Sequence, residues 1–256
     1  MIELLGVVPG VTPWTFAGLT VLSFFTAAFG VVAGLGGGVF LLAVMATIFP
    51  PATLIPLHGT VLFGSNVGRA IIMRGHVLKH LVPAFAAGAA VGGVAGGQLV
   101  VALPTATLQI ILAVFIIYVC WAPTPPAARA GSHRRCAILG FAGMFLGMFI
   151  GSSGSVIAPF VAAACPDRRQ FVATHALLMS MVHGLKIAVF GILGFALADY
   201  LPLLAAMIGT AFLGNIFGRH VLNRIPEKFF RRVFQIVLTL LAIRLLYAGI
   251  RGAGWV

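Results

Sequence analysis

Apolar positions along this chain fall into long and short blocks, separated by polar connections that are mostly brief. A helix needs about 20 apolar residues to cross the hydrocarbon layer of a bilayer. On that measure the first half offers Trp14 to Ala33, Leu54 to Met73, Val77 to Leu103 and Thr105 to Trp121, with a short run from Val39 to Phe49. The second half repeats the order: Cys136 to Ile150, a short run from Val156 to Cys165, then Phe171 to Ala198, Leu201 to His220 and Phe229 to Ile250. The first block reads as a retained span, because Glu3 stands where a secretory signal wants Lys or Arg and the run outlasts a signal's apolar core.

Each short run follows a break in the pattern, Gly34-Leu35-Gly36-Gly37-Gly38 in the first half and Gly151-Ser152-Ser153-Gly154-Ser155 in the second. Glycine costs a helix about 1 kcal/mol relative to alanine, and backbone left unpaired in lipid costs more. The break is therefore irregular backbone lining a cavity, or a notch where another helix packs closely. Its recurrence, with serines keeping amide and hydroxyl donors, favours a broken or re-entrant helix hairpin that opens each half and turns its N-terminal amides inward. Other glycines, namely Gly88, Gly92, Gly93, Gly96, Gly97, Gly209, Gly214 and Gly218, have the spacing of small-residue helix packing.

Shifting the sequence by 117 residues places Gly30 on Gly147, His58 on His175, Asn66 on His183 and Arg69 on Lys186. The last three pairs interrupt apolar spans. Eleven residues at about 100° each return Arg69 to within about 20° of the direction of His58, roughly 16 Å along the axis, so each half carries a polar stripe on one helix. Ionisable groups inside a span cost several kcal/mol and by default mark a pathway or site. A lone histidine that only ties two helices together, or an arginine that snorkels to the interface, is the plainer alternative for each residue taken singly.

Composition agrees with a multi-pass membrane protein: 61% of residues are hydrophobic, 8% are charged, and mean hydropathy is +1.14. The net charge of +12 comes from 16 Lys and Arg against 4 acids, and most of the bases sit in short connections. They therefore read as topology signals at an anionic leaflet, and nucleic acid is not expected as a partner. In the first half the connections at Pro50-Pro51 and Leu103-Pro104 are uncharged and the one holding Arg74, His76, Lys79 and His80 is basic. The second half reverses each: Arg168-Arg169 is basic, Asp199-Tyr200 is not, and Arg219 to Arg232 is strongly basic. The expected fold is an all-α polytopic membrane protein of two inverted-topology repeats, residues 1–125 and 136–256, joined by a basic linker at 126–135.

The acids Glu3, Asp167, Asp199 and Glu227 all fall outside the spans or at their edges. No buried carboxylate is then available for Na⁺ or a proton relay. What remains is an anion site, with substrate-binding candidates His58, Asn66, Arg69, His175, His183 and Lys186 together with the break residues Gly36, Gly37, Gly38, Ser152, Ser153, Gly154 and Ser155. Cys120, Cys136 and Cys165 have no metal-ligand spacing, and neither a metal nor a cofactor is called for.

At these residues the chain resembles the sulfite exporter TauE/SafE family of membrane transporters. Gly34 to Gly38 match the family's glycine-rich motif closely and Gly151 to Ser155 match its second copy loosely, while histidine (His58, His175) stands where the family commonly has serine. The resemblance covers essentially the whole chain. It implies a secondary transporter of sulfite, a sulfonate or a related organosulfur anion in the cell membrane. Alternating access, with protons carried on His58, His175 or His183, would complete that picture. No catalytic residue is expected. A histidine-liganded haem protein and an anion channel are the competing readings, and the sequence assigns neither direction of transport nor oligomeric state.

Overall fold

The computed structural model describes residues 8–33, 37–121, 132–165, 167–221 and 227–254. Gly34 to Gly36, the proline-rich stretch 122–131 and Arg224 lie outside them. Among the described residues there are ten α-helices and no strand: α1 (Pro13–Ala33), α2 (Gly37–Met45), α3 (Pro51–Ile72), α4 (Val82–Ala102), α5 (Thr105–Trp121), α6 (His133–Ile150), α7 (Gly154–Ala164), α8 (Arg168–Ile192), α9 (Leu201–Val221) and α10 (Glu227–Gly252). Five of the described helical segments are long and apolar enough to cross a membrane, those within Pro13–Gly30, Lys79–Ala102, Arg169–Ile192, Leu197–Gly218 and Gln235–Gly252. Polarity runs inside out. Trp14 and Ile192 are 87% and 85% exposed whereas Lys186 is wholly buried, the arrangement that a lipid solvent selects.

Several boundaries differ from the apolar blocks, each for a local reason. The block from Val77 follows one 3₁₀ turn, Arg74–His76, and begins with another, Lys79–Leu81, so that α4 starts only at Val82. Pro83 lacks an N–H and fits a first helical turn but not a helix interior. The block ending at Ala198 stops at Ile192, because Gly194 takes φ +88° and the Phe195 amide turns back onto the Phe190 carbonyl at 2.9 Å. The linker is shorter than expected at its end: Ser132 caps α6 by accepting from the Arg135 amide, so 133–135 are helical.

The packing is repetitive. α4 lies along α6, where a Cβ on Gly88 or Gly92 would strike the backbone of Ala137 or Phe141; α9 lies along α1, where Gly214 and Gly218 meet Phe24 and Ala28 in the same way. Residue numbers rise together in both pairs, so these helices run parallel. Gly209 has open space beside it and is not part of that seam.

The helices α3 and α8 cross in the opposite sense. Gly59 faces His183 and Lys186, Phe63 faces Gly184, and beyond the end of α3 the Leu78 amide donates to Thr174 Oγ1 at 3.0 Å. In the same antiparallel sense the Cys120 carbonyl of α5 accepts from Gln235 of α10 at 2.7 Å while Gly249 rests on Ala106 and Ile110. Under the 117-residue shift α1 matches α6, α3 matches α8, α4 matches α9 and α5 matches α10. Exchanging the halves maps these four contacts onto themselves.

The ends of α3 and α8 are sorted by charge. Leu78, between exposed Arg74 and Lys79, is tied to the start of α8 where exposed Arg169 lies, whereas at the other end Phe49 packs edge-on against Tyr200 at 6.4 Å between ring centres. The break in the second half is visible in full: α6 stops at Ile150, Gly151 takes φ +69°, and α7 begins at Gly154. Gly147 then faces Ser153 and Gly143 faces Ile157, so α7 turns back beside α6; in the first half Gly37 likewise comes back against Gly30 and Thr26. The 11 residues of α7 rise about 16 Å, half a hydrocarbon layer.

Candidate functional site

The two long polar helices each hold a short helix by its first turn. His58 of α3 is fully buried and places Nε2 2.8 Å from the Gly38 carbonyl; His175 of α8 places Nε2 3.0 Å from the Gly154 carbonyl. A carbonyl only accepts, so Nε2–H donates in both and the neutral ring is left with Nδ1 as an acceptor. The histidine pair therefore does equal mechanical work, pinning α2 and α7 at their N-terminal ends.

The cations are not equal. Lys186 lies behind the second break, wholly buried, and Nζ donates to the Gly151 carbonyl at 2.6 Å. That carbonyl stands where the glycine turn has taken it out of the helical ladder, and the lysine amine satisfies it. Arg69 instead borders a cavity, with Nη2 donating to Asn215 Oδ1 at 3.4 Å and Asn215 Nδ2 donating in turn to Ser65 Oγ at 3.0 Å. A guanidinium offers five N–H groups in a fixed fork, and this bond engages one of them.

The cavity has a volume of ≈ 100 Å³. From the first half it is lined by Ser23 and Thr26 of α1, Gly37 and Gly38 of α2, and Asn66 and Arg69 of α3. From the second half come Ser152 of the break, Gly154 and Ser155 of α7, and His175, Met179 and His183 of α8. Asn66 gives one amide hydrogen to the Leu62 carbonyl at 2.8 Å, which fixes the side chain with its oxygen free of that bond. Three expected residues do not line the space: His58 and Lys186 stand behind its wall, and Ser153 is buried with Oγ unpartnered. Gly36 lies outside the described residues.

Both short helices thus begin at one cavity, Gly37-Gly38 from one half and Gly154-Ser155 from the other. The first amides of a helix have no intrahelical acceptor and carry the positive end of its dipole. With Arg69 beside them and no Asp or Glu among the described residues of the lining, the surroundings favour negative charge. Such a space can take up a small anion through backbone amides, a guanidinium fork and hydroxyls.

Sequence reasoning misses Ser23, Thr26, Ser65, Met179 and Asn215. Ser23 and Thr26 have Gly140 and Gly143 as their counterparts 117 residues on, so a test based on repetition passes over them. The available signal is their spacing of three, which sets two hydroxyls on one face of an otherwise apolar span.

These features are those of a multi-pass helical membrane protein with a polar cavity between its two halves. The family model described as Sulfite exporter TauE/SafE matches residues 19–245, and the chain belongs to that family. No curated protein and no solved structure matches it.

Proposed function

We propose that this protein is a secondary transporter that carries a small anion, sulfite or a related organosulfur anion, across the cell membrane by alternating access of two inverted repeats. One observation carries the reading: the N-termini of two half-length helices, one from each repeat, meet at a single cavity that holds Arg69 and no carboxylate. Oxyanions are matched by amide donors and a guanidinium fork. The antiparallel crossing of equivalent helices, α3 on α8 and α5 on α10, supports the inverted relation, as does the gathering of the basic connections Arg74–Lys79 and Arg169 at one end. The candidate substrate contacts are Asn66, Arg69, His175, His183, Gly37, Gly38, Ser152, Gly154 and Ser155. His58, Ser153 and Lys186 shape the site from behind. His183, which lines the cavity without a hydrogen-bond partner on Nδ1, is the histidine best placed to carry a coupled proton.

A haem role for His58 and His175 loses ground on geometry, since their Nε2 atoms are both committed to carbonyls. The test is counterflow in proteoliposomes. Internal sulfite should accelerate uptake of labelled sulfite by the wild-type protein, and Arg69→Gln should abolish that acceleration. Electrogenic sulfite flux without counterflow would instead make the protein a channel.

A further inference from the structure

The cavity contains more unsatisfied polarity than an anion site built from helix ends would need. Threonine and serine inside a helix usually return their hydroxyl to a carbonyl one turn back, and Thr20, Thr60, Ser180 and Thr239 do so here, to Phe16, Pro56, Ala176 and Gln235. Ser23 does not. It is 1% exposed, lines the cavity, and its Oγ has no partner. His183, 2% exposed, lines the same cavity with Nδ1 unpartnered, and Ser155 Oγ is a third such atom. Polar atoms kept buried without partners call for a bound solute that completes them.

The charges around the space decide what kind of solute. Arg69 faces it and Lys186 lies behind it, and the described residues of the lining offer neutral acceptors, with no Asp or Glu among them. Asp167 and Asp199 are exposed at helix ends. An ammonium group brought into this cavity would lose its water beside a guanidinium and find no carboxylate, which is the costly case of an unpaired buried charge. The volume of ≈ 100 Å³ suits a compact solute.

Resting on the anion-site reading above, we propose that the cavity selects compact anions without an ammonium group and excludes zwitterions of the same size, with Ser23 and His183 as contacts that close it around the ligand. The oxygens of an oxyanion accept hydrogen bonds, and the Arg69 guanidinium and the Ser23 hydroxyl are donors in the lining that can supply them.

The test uses the full chain purified in detergent and two ligands that differ only in one group, 2-hydroxyethanesulfonate and 2-aminoethanesulfonate, with sulfite as reference. Sulfite and the hydroxy compound should raise Tm with concentration, and the amino compound should bind at least about thirtyfold more weakly. Ser23→Ala should weaken sulfite binding about tenfold, the loss of one hydrogen bond to a charged group, with Tm of the unliganded protein unchanged. Ser23→Thr, which keeps the hydroxyl, should restore it. Equal binding of the two sulfonates overturns the proposal, and so does sulfite binding that excludes both, since size alone would then decide. Full sulfite affinity in Ser23→Ala removes Ser23 from the site. Failure of every anion to bind wild-type protein would sink the anion-site reading itself, an outcome distinct from these.

Discussion

Arg69 and Lys186 occupy equivalent places in the two halves, yet one borders an open cavity and the other is sealed against a carbonyl. The difference lies in what packs beside them. Next to Arg69, α1 brings the hydroxyls of Ser23 and Thr26 and leaves room. At the matching positions of α6 stand Gly140 and Gly143, whose missing side chains let the Phe85 backbone and the Ile157 side chain close in. Glycine at one pair of positions and hydroxyls at the other thus go with close packing beside α6 and open space beside α1. Matching positions in the two halves need not serve the same purpose. One copy can supply the ligand's counter-charge while the other uses its cation to hold a broken helix in shape.

The largest expected effect is therefore unequal loss on removing the two cations. Arg69→Gln should cost about 2–5 kcal/mol of sulfite binding, thirtyfold or more in Kd. Lys186→Met should change Kd by less than about threefold while slowing transport, as the Gly151 turn loses its donor. Isothermal titration and proteoliposome flux on the two variants separate these outcomes, and equal losses of affinity would erase the asymmetry.

The two glycine seams, by contrast, should behave alike. Gly88→Val and Gly214→Val each drive a side chain into backbone that cannot move aside, at about 1–3 kcal/mol or more. Comparable falls in Tm are the expected readout, and a tolerated substitution in one seam only would show that the halves are packed unequally there as well. The histidines form a third matched pair. His58→Leu and His175→Leu should each lower stability by about 1–3 kcal/mol by orphaning a buried carbonyl, whereas the Gln variants, which keep a donor, should lie close to wild type in the same melting assay. Smallest of all is Gly209→Ala, where nothing opposes a methyl group; gain of up to about 1 kcal/mol from helix propensity is expected.

Much of this architecture is legible in the order of residues alone. Apolar block length locates the helices, and the 117-residue shift pairs them by position, because the first signal is set by the bilayer and the second by recurring residue types and neither depends on packing detail. The break at Gly151 is legible too, since glycine and serine clusters cannot continue a helix cheaply. Less legible is the division of labour. His58 and Lys186 look like ligand contacts from the sequence because ionisable residues in a span demand a reason, and only the geometry supplies another one, a backbone carbonyl released by a broken helix. Ser23 stays hidden for the opposite cause. A serine in a span is inexpensive as long as it bonds its own backbone, so its presence gives no hint that here it does not. Start points such as Val82 depend on Pro83, which a hydropathy block averages away.

The most extensive helix contacts all join one half to the other: α1 with α9, α3 with α8, α4 with α6 and α5 with α10. During synthesis, then, each early span enters the bilayer without its principal partner and waits for a segment made much later, about 190 residues on in the case of Thr20 and Thr210. The first half has no finished structure to fall back on while it waits. Assembly must be a late, concerted step, in which helices already inserted find one another sideways. A chain cut between the halves should still deliver two sets of membrane helices, and function should return when both pieces are made in the same membrane, since what joins them is the interleaving of spans and not the linker.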